Sequence, residues 1–217
     1  MPVSLSLRCL FVHIPKTGGT SIEKALGLFG DWRIEDRERL FGRIASPDLL
    51  AAGFLSRYLQ HLTLLELRPL LPPALADGLL SFSFVRNPWD RMVSIHAHPD
   101  PDLLEQAAAQ GLELRGVPFA TFLDLTASLR HIHLLPQHRF ILDSSGRPLV
   151  DFIGRFENLA NDFRNISIGL GTSGDLHHAN ASQARQHRDY RLCYTVATRD
   201  LVAQRYVRDI ELFGYAF

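Results

Sequence analysis

The chain has 217 residues, 46% of them hydrophobic and 21% charged, the balance of an ordinary globular protein able to bury a sizeable core. Lys plus Arg equals Asp plus Glu at 23 each, which excludes a global positive field for nucleic acid or an acidic membrane; any anion site must be local. The two cysteines, Cys9 and Cys193, exclude a disulfide framework and favour a reducing compartment, although sequence leaves a single pairing between them open.

The N-terminal MPVSLSLRCLFV carries neither a charged leader nor a small-residue cleavage site and reads as a strand of the folded protein. No apolar run approaches the roughly 20 residues of a membrane span. There is no repeat, low-complexity tract or long linker, so residues 1–217 are expected to form a single domain. Leu7 to Ile14 is a β-branched and apolar run suited to a buried strand, Pro15 to Gly19 breaks it, and Thr20 to Leu28 has helical character. A helix is predicted within Pro47 to Leu59. Ser81 to Arg86 is a second short strand, after which Asn87 supplies a helix cap and Pro88 the first helical position. Another helix is predicted within Val117 to Leu129. Phe152 to Phe156 is a third strand, followed by Leu159, Phe163, Ile166 and Leu170 along one helical face. A last helix spans Thr198 to Phe213, with Val202, Tyr206, Ile210 and Phe213 as its buried stripe. Strands alternating with helices predict an α/β fold: a P-loop-like, three-layer arrangement with a central parallel sheet, whose ligands sit beyond the carboxyl ends of the strands.

Two loops lie at such ends. In PKTGGTS, Gly18 and Gly19 let backbone amides approach an anion, Lys16 adds a mobile charge, and Thr17, Thr20 and Ser21 add hydroxyl donors. Phosphate or sulfate would fit; a plain glycine-rich turn with a surface lysine is the alternative. A Walker-type loop has its lysine after the glycines, whereas here it precedes them. In FVRNPWDRMVS, Arg86 stands at a strand end and Ser94 about two turns into the following helix, an arrangement able to grip a second phosphate. Arg91 reads as solvated or paired with Asp90, and Trp89 and Met92 as packing.

These residues resemble the sulfotransferases that use 3'-phosphoadenosine 5'-phosphosulfate (PAPS), in particular their carbohydrate branch. HIPKTGGTS is similar to that family's loop for the 5'-phosphosulfate and RNPWDRMVS to its element for the 3'-phosphate. The likeness continues through HLTLLELRPLLP, through HLLPQHRFILDSSGRPLVDFIGRFENLANDF and through the tail from Asn180. It implies that Lys16, Thr17, Gly18, Gly19, Thr20 and Ser21 hold the phosphosulfate and that Arg86 and Ser94 hold the 3'-phosphate. It further implies PAPS as co-substrate with no metal, Lys16 as a catalytic cation on the leaving oxygen, and a hydroxylated acceptor, a glycan or glycolipid, without nucleic acid as partner. The membrane anchor of Golgi relatives is missing, so a soluble, cytoplasmic, bacterial-type enzyme is expected.

An acceptor hydroxyl needs a base. Among ten histidines the candidate is His61, which matches the position of a catalytic histidine in the heparan 2-O-sulfotransferases. Those relatives carry a further histidine just before it, where this chain has Leu59 beside Gln60. His13 reads as a packing or hydrogen-bonding residue, while Glu66, Glu157 and His138 are outside candidates for the base. Arg155 and Glu157 suit either the site or a buried ion pair. The pairs His96/His98, His131/His133 and His177/His178 raise zinc, but no cysteine or carboxylate joins them at a recognised spacing. The polar stretch His177 to Arg188 suits a closing loop or a solvated linker. Two rival functions are a small-molecule P-loop kinase, which lacks a clear aspartate for magnesium, and a nucleotide- or glycan-binding module without turnover.

Overall fold

The computed structural model describes residues 2–71, 78–172, 176 and 189–217. In chain order its elements are β1 (Val3–Ser4), β2 (Cys9–Val12), α1 (Gly19–Ala25), α2 (Pro47–Ala51), a 3-10 turn (Leu59–His61), α3 (Leu64–Leu67) and β3 (Leu80–Val85). There follow α4 (Pro88–Ala97), α5 (Pro101–Ala109), α6 (Phe119–Leu125), α7 (His138–Ile141), β4 (Phe152–Arg155), α8 (Leu159–Gly169), α9 (Val196–Arg205) and α10 (Val207–Phe213). These elements fall into two compact units, Met1–Val85 with Gln137–Asn180, and Arg86–Pro136 with Ala181–Phe217.

The first unit holds the sheet, ordered β1-β2-β3-β4, in which β2, β3 and β4 are parallel as predicted. Its edge departs from the expectation. The predicted strand Leu7 to Ile14 is shortened to Cys9–Val12 because Leu5 to Arg8 form a turn, with Arg8 at φ 49°, that folds Val3–Ser4 back as an antiparallel strand. Cys9, Phe11, Phe82 and Phe84 alternate onto one sheet face, where Phe11 and Phe82 stack at 5.1 Å. Ile22 and Leu26 from α1, and Phe163 and Ile166 from α8, cover that face. Each such side chain removed from water contributes about 1.5 to 3 kcal/mol, so this layer fixes α1 against the strand that precedes it. Cys9 is buried in the same layer, and burial pushes its thiol up to about 11 despite a backbone hydrogen bond near Ser4; Cys193 is exposed, and both are free thiols.

The second unit is helical. Trp89, Met92 and Ile95 of α4 meet Leu103 of α5, Phe122 and Leu123 of α6, and Val202 and Tyr206 at the end of the chain. The predicted Thr198 to Phe213 helix divides at Tyr206, whose φ of −118° breaks the helical run while its hydroxyl donates to the buried Leu134 carbonyl at 3.0 Å. Three further predicted helices are shorter than their apolar patterns, while α8 carries the predicted Leu159 to Leu170 face as far as Gly169. The first stops at Ala25, ahead of Gly27 at φ 66°, and the second at Ala51, ahead of Gly53 at φ 67°, because a left-handed glycine turns the chain. The helix expected within Val117 to Leu129 starts after Pro118 and ends where the Thr126 hydroxyl donates to the Phe122 carbonyl at 2.8 Å. At α4 the prediction holds: Asn87 caps by accepting from the Trp89 amide at 3.0 Å, and Pro88 opens the helix.

Candidate active site

The loop between β2 and α1 has an unusual backbone. Lys16 lies at φ 71° and Gly18 at φ 88°, with Thr17 between them outside the left-handed region. A lysine held there costs about 1 to 2 kcal/mol relative to an ordinary conformation, and alternation of this kind turns successive amides toward one side, the geometry of an anion nest. The Thr17 hydroxyl is buried and donates to the Ile14 carbonyl at 2.9 Å, which ties the loop to the strand end. Thr17 therefore has its main chain, rather than its hydroxyl, to offer a ligand. Lys16, Gly18, Thr20 and Ser21 are half-buried, with the Ser21 amide bonded to the Gly18 carbonyl at 3.0 Å.

The two glycines serve different needs. Gly18 supplies the left-handed turn into α1. Gly19 is small because a β-carbon there would stand 2.2 Å from Cδ2 and Nε2 of His13. That imidazole is buried at the end of β2, its Nδ1 lies 2.6 Å from Oε1 of Glu23, and its ring stacks on Phe11 at 5.5 Å. Gly19 and Glu23 are one turn apart on α1, so a single helix face offers the ring a gap and, four residues on, a hydrogen-bond partner. His13 thus packs and bonds as expected, but its partner Glu23 was not foreseen.

His61, the last residue of the 3-10 turn, comes to the same place. Its Nδ1 is 3.2 Å from the His13 carbonyl oxygen and its ring meets the His13 ring edge-on, centroids 4.5 Å apart. A carbonyl oxygen only accepts, so Nδ1 carries the proton and the lone pair of the neutral ring sits on Nε2. Leu59 is fully buried in a small apolar cluster with Ile44, Leu49 and Leu62, so this position serves packing. Gln60 is also structural, accepting from the Gly42 amide at 2.9 Å.

Of the other base candidates, Glu66 has structural work. Glu66 closes a capping box on Thr63, accepting from its amide and its hydroxyl at 2.7 Å each. Arg155 and Glu157 are both exposed, which removes the buried ion pair as their explanation. His138 opens α7. Elsewhere in the first unit, Glu35 accepts from Arg37 at 2.8 Å, from the Ala45 and Ser46 amides at 2.5 and 2.8 Å, and from the Ser46 hydroxyl at 2.7 Å. Burial raises its carboxyl, but these bonds outweigh burial and hold it at about 2.

In the second unit, Arg86 follows directly after β3 and its Nε donates to Asp90 Oδ2 at 2.8 Å; Ser94, buried, is the next residue on the Asp90 face of α4. Arg91 corrects the expectation of a solvated or Asp90-paired side chain. It is fully buried and donates to the Leu135 and His133 carbonyls at 3.0 Å each, and burial lowers its pKa. Trp89 packs in the core as predicted, with Nε1 on the Arg199 carbonyl at 3.0 Å. His96 donates from Nε2 to the Val117 carbonyl at 2.8 Å, against Phe119 and Phe122. His131 caps a short 3-10 turn, Ile132–Leu134, that contains His133, and the two face Asp100 at 4.0 and 3.5 Å. Among the described residues no group of three or more His, Cys, Asp or Glu could hold a metal ion, and no helix is long and apolar enough to cross a membrane. His177 to Arg188 lie outside the described residues.

The family model for sulfotransferases matches residues 3–216. The chain belongs to the sulfotransferase family. This sulfotransferase is accordingly an enzyme of sulfuryl transfer from PAPS to a hydroxylated acceptor, which sets the kinase and silent-module readings aside. Among curated proteins and among solved structures the sulfotransferase has no match.

Proposed function

We propose that this sulfotransferase acts on a hydroxyl of a carbohydrate or glycoconjugate, with residues 1–217 serving as one catalytic domain in the cytoplasm. Lys16, Thr17, Gly18, Gly19, Thr20 and Ser21 hold the 5'-phosphosulfate, and Arg86 and Ser94 the 3'-phosphate. The acceptor oxygen attacks sulfur in line, the bond from sulfur to the bridging oxygen breaks, and its electron pair stays on the phosphate of adenosine 3',5'-bisphosphate. Lys16 neutralises the charge growing on that oxygen, and the acceptor proton passes to Nε2 of His61.

What supports this reading above all is the contact between His61 Nδ1 and the His13 carbonyl, 3.2 Å long, which brings an imidazole with its basic nitrogen at Nε2 to the root of the lysine loop. The left-handed Lys16 adds to it, since strain at a side chain of this kind is kept where function requires it. Two free thiols support the reducing compartment. Calorimetric titration with adenosine 3',5'-bisphosphate tests the donor site: micromolar affinity is expected, lost in Arg86→Ala. Incubation with radiolabelled PAPS and a panel of neutral glycans, sulfated polysaccharides and glycolipids tests the acceptor. Label is expected on a glycan with the native protein and not with His61→Ala, while transfer undiminished in that variant removes His61 from the mechanism.

A further inference from the structure

We propose that Glu23 is a positioning residue of the transfer reaction, acting through His13 to hold His61 with its basic nitrogen at Nε2. The inference rests on the reading of His61 as the base. His61 touches His13 twice, at the main-chain carbonyl (3.2 Å) and across the ring (centroids 4.5 Å). The main-chain contact sets the tautomer of His61 and the ring contact its plane, so whatever orients the His13 ring holds His61 in the plane in which Nδ1 reaches that carbonyl.

His13 is fixed from three sides. Phe11 stacks on the ring at 5.5 Å, Gly19 leaves the gap it occupies, and Glu23 Oε1 meets Nδ1 at 2.6 Å. Of these only Glu23 supplies direction, because a carboxylate oxygen accepts from one ring nitrogen and so sets which edge of the ring faces α1. Glu23 is itself buried, and its main chain is anchored: its carbonyl accepts from the Leu28 and Phe29 amides at 2.7 and 3.2 Å. Stability alone does not account for such a pair. Two buried polar groups are matched or surpassed by apolar side chains of the same volume, so a glutamate and a histidine facing each other inside the core call for a role that apolar residues cannot fill. Orientation of the neighbouring imidazole is that role, with a carboxylate, a histidine and a second histidine joined in series.

The test compares Glu23→Leu, which removes the acceptor, with Glu23→Gln, which keeps an oxygen for Nδ1. In protein labelled with 15N at histidine, the His61 ring, assigned by its loss in His61→Ala, should show a protonated Nδ1 and a bare Nε2 in the native protein and in Glu23→Gln, and a tautomer mixture in Glu23→Leu. Transfer of label from PAPS should fall by 10- to 100-fold in Glu23→Leu and recover to within about fivefold in Glu23→Gln, with adenosine 3',5'-bisphosphate affinity held within threefold in both. A native His61 protonated at Nε2 overturns the proposal without any variant. So does a Glu23→Leu protein in which His61 keeps its tautomer, or in which transfer falls only as far as nucleotide affinity does. If His61→Ala transfers normally, the base assignment fails instead, and the ring shifts still report whether Glu23 orients His61.

Discussion

Replacing Gly19 by alanine should damage the protein far more than a single methyl in a helix usually does. The added β-carbon would stand 2.2 Å from two atoms of the His13 ring and 2.7 Å from a third, so the ring must retreat by roughly 1.2 Å to reach ordinary contact. It has nowhere to go without leaving Glu23, 2.6 Å away on the same helix face, or Phe11 behind it. Overpacking of this kind costs about 1 to 3 kcal/mol, and a hydrogen bond to a charged group contributes about 1.5 to 3 more, for a total of about 2.5 to 6 kcal/mol. At about 2 to 4 °C per kcal/mol for a chain of this size, the melting temperature should fall by about 5 to 24 °C. Gly169→Ala, where a β-carbon meets nothing within 4 Å, is the control and should be neutral or slightly stabilising. The deciding assay is a double-mutant cycle by urea unfolding. In a His13→Ala background the ring is gone, and Gly19→Ala should then cost less than about 1 kcal/mol. An equal cost in both backgrounds refutes the steric account of the second glycine.

Lys16→Gly relieves a left-handed lysine, so it should be about 1 kcal/mol more stable than Lys16→Ala by thermal melting, while both lose transfer by about 100-fold or more; equal stability would argue that the loop is not strained. Arg91→Met strips two buried carbonyls of their donor and should cost about 2 to 4 kcal/mol in unfolding assays with nucleotide affinity unchanged; selective loss of affinity would make it a ligand contact. Glu35 is depressed from 4.5 to about 2, so its stabilisation is complete above pH 4.5 and disappears as pH falls through 2. The melting difference between native protein and Glu35→Gln should stay level above pH 4.5 and close below it, and a difference that persists at pH 2 contradicts the depressed carboxyl.

The parallel strands were legible because β2 is an uninterrupted apolar run and β3 and β4 are short phenylalanine-bearing segments, each followed by a loop or helix signal. What was not legible depends on contacts beyond the local window. β1 is only two residues long and exists because the turn at Leu5 to Arg8 returns it to β2. The division of the last helix at Tyr206 follows from a hydroxyl reaching Leu134, 72 residues away in sequence, which no periodicity reports. The pairing of Asp90 with Arg86 rather than Arg91, by contrast, was available. Adjacent residues of a helix do not face each other, whereas Arg86 and Asp90 are four apart, so Asp90 was always better placed for the earlier arginine.

The candidate site follows the same division. An anion loop can be read from PKTGG because its composition serves the backbone, and backbone chemistry is local. The reason for its second glycine is not local: it requires that His13 end a strand and that Gly19 and Glu23 share a helix face, three facts from two elements. Once both elements are placed, His13, Gly19 and Glu23 become a single specification, a ring, a space for it and an acceptor for its nitrogen. His61 extends that specification across 48 residues of sequence to the His13 carbonyl. A glycine that seems to make way for a ligand thus makes way for a side chain, and the contact on that side chain's own carbonyl decides which nitrogen of His61 can take a proton.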